Sequence, residues 1–97
     1  MQSKFETGKY ILYFGSKYDQ YFNNLYKTFE ELKSKYLGIT FLKYDIYKDF
    51  YMLEEFNLCL RYINPTFISI KDGKEMDRFE VGNKDQLIMI VENLDKM

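Results

Sequence analysis

The chain has 97 residues, near the common domain size, and is expected to form a single domain over 1–97 with one small core. Apolar residues make up 46% and charged residues 30%, and fourteen Lys/Arg against fifteen Asp/Glu leave a net charge of −1. That balance excludes a disordered chain and gives no electrostatic case for binding nucleic acid or an anionic membrane.

Lys9-Tyr10-Ile11-Leu12-Tyr13-Phe14, bounded by Gly8 and Gly15, reads as a buried central strand. A polar stretch, Ser16 to Gln20, follows. Phe22, Leu25, Phe29, Leu32 and Tyr36 then recur three and four apart, which predicts a long amphipathic helix with Gly38 as its C-terminal cap. Ile39 to Ile46 is rich in strand formers and predicts the second strand. Lys48 to Tyr62 reads as a second helix with Phe50, Leu53, Phe56 and Leu60 on its apolar side, broken by Asn64-Pro65. Thr66–Ile70 and Met76–Val81 read as two strands, and Asp72-Gly73 between them is a strong hairpin signal. After Gly82-Asn83, Leu87, Ile88, Val91 and Leu94 mark a last helix whose wet face carries Lys84, Asp85, Glu92 and Asp95.

The order β-α-β-α-β-β-α implies a right-handed crossover with a parallel first pair, then an antiparallel hairpin. The predicted sheet runs second, first, third, fourth, with the third strand antiparallel to the first. The most apolar strand should be central, so helices must cover both faces.

The chain has no His, which removes the commonest general acid–base side chain and all Ser–His, Cys–His and His-metal arrangements. Its single Cys, Cys59, allows no intramolecular disulfide, no CxxC pair and no cysteine zinc site. Flanked by Leu58 and Leu60, Cys59 reads as an inert core thiol, and a reactive one would need exposure beside a positive charge. No phosphate-binding glycine motif occurs. Glu30-Glu31 and Glu54-Glu55 are adjacent in helices and point apart, so they read as solvated faces, and Lys71–Glu75 reads as a solvated hairpin tip. Nine Phe and ten Tyr without Trp read, for most positions, as codon bias and not as a functional aromatic surface. Met1–Gly8 holds no apolar signal-peptide core and no stretch is long enough to span a bilayer, so a cytoplasmic protein is expected, with no metal and no cofactor.

Two stretches carry a resemblance. Phe14-Gly15-Ser16-Lys17-Tyr18 leads from the central strand to the long helix. Asn64-Pro65-Thr66, an apolar strand, Lys71-Asp72-Gly73-Lys74-Glu75, a return strand and Val81-Gly82 follow later. Together they resemble thioredoxins over roughly Lys9 to Leu94. In that family a Phe-ended strand precedes the Cys-x-x-Cys helix, and Ile-Pro-Thr precedes an apolar strand, Lys-Asp-Gly and Val-Gly. The resemblance implies an α/β fold with a four-stranded mixed sheet, three helices, and the family's first strand and helix missing or reduced. Aligning Phe14 puts Asp19-Gln20-Tyr21-Phe22 where the family carries its two cysteines, and Tyr13 where it carries a buried acid. Thiol–disulfide exchange needs a thiolate and a resolving thiol, so the fold carries over and the activity does not.

What remains is a binding groove. The resemblance implies that Pro65 is cis and that Asn64 offers its backbone to an extended peptide, beside Tyr18, Asp19, Gln20, Tyr21 and Gly82. The plainer alternatives are that Pro65 only delimits a strand and Asp19 only caps a helix. The expected function is therefore non-catalytic binding of a protein or peptide. Its rival is a single-thiol redox or glutathione-linked enzyme using Cys59. Surface Tyr on an exposed sheet edge could support a homodimer.

Overall fold

The computed structural model describes residues 5–15, 22–58, 66–80 and 83–97, the side chains of 22–24 aside. Within them the chain forms β1 (Lys9–Gly15), α1 (Phe22–Lys35), β2 (Ile39–Asp45), α2 (Phe50–Glu55), β3 (Thr66–Lys71), β4 (Lys74–Glu80) and α3 (Lys84–Asp95). The four strands make one sheet in the order β2-β1-β3-β4. β1 runs parallel to β2 and antiparallel to β3, and β3 and β4 form an antiparallel hairpin. The predicted strand order and directions are therefore observed.

Side-chain alternation along β1 splits the core in two. Ile11 and Tyr13 point to one face, where they pack with Phe41 and Phe67, with Leu25, Phe29 and Leu32 of α1, and with Leu87, Ile90, Val91 and Leu94 of α3. Leu12 and Phe14 point to the other face and meet Tyr44, Met52, Leu53, Phe56 and Ile68. Helices thus cover both faces, as a sheet whose central strand is buried from Ile11 to Gly15 requires. α3 buries Ile90 in addition to the predicted Leu87, Val91 and Leu94, while Ile88 is only partly covered. Asn83 caps α3: its side chain accepts from the Gln86 N–H, and the Gln86 side chain accepts in return from the Asn83 N–H.

Several local expectations are corrected. The helix after β2 is far shorter than Lys48–Tyr62: α2 ends at Glu55, and Asn57 adopts φ 57°. Leu58 N–H donates to Leu53 C=O at 2.7 Å and Asn57 N–H to Glu54 C=O at 3.1 Å, the bond pair of a Schellman stop. Phe50, expected in the apolar stripe, is 62% exposed, and Met52 takes its place in the core. Gly38 does not cap α1 in a left-handed conformation. α1 ends at Lys35, and the turn closes with Ile39 N–H donating to Tyr36 C=O at 3.2 Å.

The hairpin tip is exposed but tied down. Asp72 (φ 49°) and Gly73 (φ 82°) supply the two positive φ angles that a type I′ turn needs. Gly8, itself at φ 97°, donates its N–H to Asp72 Oδ1 at 2.9 Å and accepts from the Asp72 N–H at 2.8 Å. This clasp brings the segment before β1 onto the molecule. Phe5 there is 1% exposed, its ring 5.1 Å from that of Tyr10 and 6.1 Å from that of Phe56. Nearby, the cross-strand partners Lys9 and Lys71 reach the C-terminal end of α3. Lys9 Nζ donates to Asp95 C=O and Lys71 Nζ to Met97 C=O, cations placed where the helix dipole is negative.

Candidate functional site

The opposite end of the sheet is where the sequence places its candidate residues. Gly15 is level with Asp45, Phe14 with Thr66, and Thr66 with Glu80, so the ends of all four strands form one row. Chain connections diverge from β1 here. α1 leads over one face to β2, and α2, against the other face, lies on the path to β3 on the far side of β1. In open α/β sheets such a divergence beyond a strand's carboxyl end is the usual place for a ligand. Tyr18, Asp19, Gln20, Tyr21, Asn64, Pro65 and Gly82 lie outside the described residues, as do Cys59 and the Asn64–Pro65 bond expected to be cis. The described residues that flank them are Gly15, Phe22, Leu58, Thr66, Glu80 and Asn83.

Under this row sits Tyr13, the residue that stands where the resemblance expects a buried acid. It is fully buried. Its ring lies 4.8 Å from that of Phe67 and 5.5 Å from that of Phe29, centroid to centroid. It also turns back over its own strand, against Gly15. On the other face Phe14 stacks on Tyr44 at 5.3 Å, with 22° between the ring planes. The strand end is thus floored by aromatic rings on both sides of the sheet.

Beside the row, β2 leaves the sheet through a loop built by two carboxylates. Asp45 Oδ1 accepts from the N–H groups of Tyr47 at 2.8 Å and Lys48 at 3.2 Å. Asp49 Oδ2 accepts from the Asp45 N–H at 2.9 Å, and Asp49 N–H donates to Asp45 C=O at 2.7 Å. Asp49 precedes α2 but gives it no side-chain cap, because its carboxylate is turned back to Asp45. Ile46 N–H then donates to Gly15 C=O at 3.1 Å and ties this loop to the end of β1. Sequence reasoning passed over this pair. The Asp-x-x-x-Asp spacing across a strand end was the available signal, since Asp side chains bond their own backbone a few residues on.

Among the described residues no cluster of three or more His, Cys, Asp or Glu side chains could hold a metal ion. No helix among them is long and apolar enough to cross a membrane.

No family model matches the sequence, and no curated protein matches it. Solved structures do match. Fasciola hepatica thioredoxin is similar at TM-score 0.81 and 23% identity, over 94% of this chain and 85% of that one. A mutant thioredoxin of Entamoeba histolytica gives TM-score 0.81 at 25% identity, over 92% and 84%. Oxidised thioredoxin of Plasmodium falciparum gives 0.80 at 22%, over 96% and 91%. These likenesses agree with the strand order, the helices on both faces and the Asp72-Gly73 hairpin, and together they show that this chain has a thioredoxin-like fold.

Proposed function

We propose that this chain is a non-catalytic thioredoxin-like protein. It binds a protein or an extended peptide at the strand ends, through Tyr18, Asp19, Gln20, Tyr21, Asn64, Pro65 and Gly82. The observation that carries this reading is the cysteine count. A chain with Cys59 as its only thiol, and with Asp19 to Phe22 aligned on the family's Cys-x-x-Cys, has no second thiol to resolve a mixed disulfide. Two features support it. Tyr13 fills its position by packing against Phe29 and Phe67, an aromatic floor where the family's chemistry has an acid. The strand-end row offers a place for a ligand that depends on topology and not on thiols. Tyr18 and Tyr21 supply large contact area at low entropic cost, and strand-like pairing with the Asn64 backbone needs no catalytic group.

Two measurements test the proposal. In an insulin-reduction assay the protein should give no turnover above the reductant alone. Turnover lost in Cys59→Ser would overturn the reading in favour of single-thiol chemistry. Peptides selected from a random displayed library should perturb the amide resonances of Gly15 and Thr66 and lose affinity in the Tyr18→Ala/Tyr21→Ala variant. Selected peptides that bind elsewhere and ignore both substitutions would sink the strand-end site.

A further inference from the structure

We infer that the outward face of α2 is a second docking surface, one that takes an arginine-bearing segment of another protein. α2 buries Met52 and Leu53 against the sheet, which leaves Phe50, Tyr51, Glu54 and Glu55 exposed on the far side. Phe50 and Glu54 are four residues apart, and so are Tyr51 and Glu55, so each ring stands one helical turn before a carboxylate. Phe50 is 62% exposed, Tyr51 58%, and Tyr47, in the loop just before, 60%. Other exposed apolar side chains, such as Leu37 and Met89, are scattered singly, which is ordinary for a protein surface. Two neighbouring exposed rings on one short helix, Phe50 and Tyr51, are not.

Charge decides the occupant. The whole chain is near neutral, yet residues 45–55 carry Asp45, Asp49, Glu54 and Glu55 against Lys48 alone. Asp45 and Asp49 are spent on backbone bonds in the loop. Among the described residues the ion pair formed is Arg78 with Glu75, on β4, and neither Glu54 nor Glu55 is in an ion pair there. An open aromatic ring beside a free carboxylate suits a guanidinium, which stacks flat on the one and forks its N–H groups onto the other. A lysine ammonium satisfies the charge but not the stacking. The paired repeat, Phe50–Glu54 and Tyr51–Glu55, fits two arginines of one segment. This inference does not rest on the strand-end proposal.

The test is binding of short synthetic peptides of equal length, rich in Arg, Lys or Glu, to the full chain by fluorescence anisotropy. The Arg peptide should bind most tightly, the Lys peptide more weakly and the Glu peptide not at all, and added salt should weaken the first two. Phe50→Ala/Tyr51→Ala and, separately, Glu54→Gln/Glu55→Gln should each weaken the Arg peptide by about tenfold or more. Both should leave the circular dichroism spectrum and melting temperature in place, because all four side chains are exposed. Lack of binding by the Arg peptide, equal affinity for Arg and Glu peptides, or affinity untouched by both double variants overturns the inference. A concentration-dependent dimer that dissociates in the same variants would assign the face to a second copy of this chain and overturn it too.

Discussion

The ring of Tyr13 lies so close over Gly15 that a methyl group built there would stand 2.8 Å from its Cε1 and 3.1 Å from its hydroxyl oxygen. The ring has nowhere to retreat, because Phe29 and Phe67 pack against it in the core. Gly15→Ala should therefore cost about 1–3 kcal/mol, the usual range for overpacking a filled site. Thermal unfolding measures it. In a Tyr13→Leu background the same substitution should cost much less. Equal costs in both backgrounds would show that the ring is not what excludes a side chain at Gly15.

Phe5 lies four residues before β1 yet is 1% exposed against Tyr10 and Phe56. Phe5→Ala should lower stability by about 3–5 kcal/mol, as for other buried large aromatics. Urea unfolding would report it. A loss under about 1 kcal/mol, of the size seen for surface changes, would mean that this ring is not part of the core.

Ser69 is the partner of Ile11 across β1 and β3, and its hydroxyl is buried with no hydrogen-bond partner among the described residues. A buried unpaired polar group costs about 1–3 kcal/mol, and removing it recovers part of that. Ser69→Ala should raise stability by about 1 kcal/mol, or about 4–8 °C in Tm for a domain of this size. A fall in Tm would mean that the hydroxyl has a partner, such as a buried water.

Asn57 halts α2 in the left-handed region at φ 57°. Asn57→Gly should be neutral or slightly stabilising, since glycine adopts that conformation without a Cβ penalty. Asn57→Val should cost about 1–2 kcal/mol or more. The difference between the two variants, read by chemical denaturation, isolates the backbone effect from any lost side-chain contact.

The parts of the fold legible in the sequence are those dictated by nearby residues. Asp72-Gly73 between two β runs specified the hairpin, and the run Tyr10 to Phe14, the most apolar of the strands, specified the central place of β1. α2 was misread because Phe50, Leu53, Phe56 and Leu60 keep a helical spacing across a helix that stops at Glu55. The stop depends on one Asn entering a conformation that the spacing cannot reveal, and a helix this short is oriented by the sheet beneath it, which left Phe50 outside. Phe5 was hidden for a different reason. Its burial follows from the Gly8–Asp72 clasp, a contact across most of the chain that no local pattern announces. At the candidate site the motif match located the strand ends through Phe14 and Thr66, and their register pairing places these two side by side. The aspartate pair at the exit of β2 went unread because its partners are backbone groups and not side chains.

The clasps described above all lie at one end of the sheet: Gly8 to Asp72, Lys9 to Asp95 and Lys71 to Met97. The row of strand ends at Gly15, Asp45, Thr66 and Glu80 is the other end. These three clasps are thus kept apart in space from the row of strand ends. Such a separation lets a lineage rewrite one end without loosening the other. A scaffold arranged in this way can change what one end recognises while the other end keeps the chain folded.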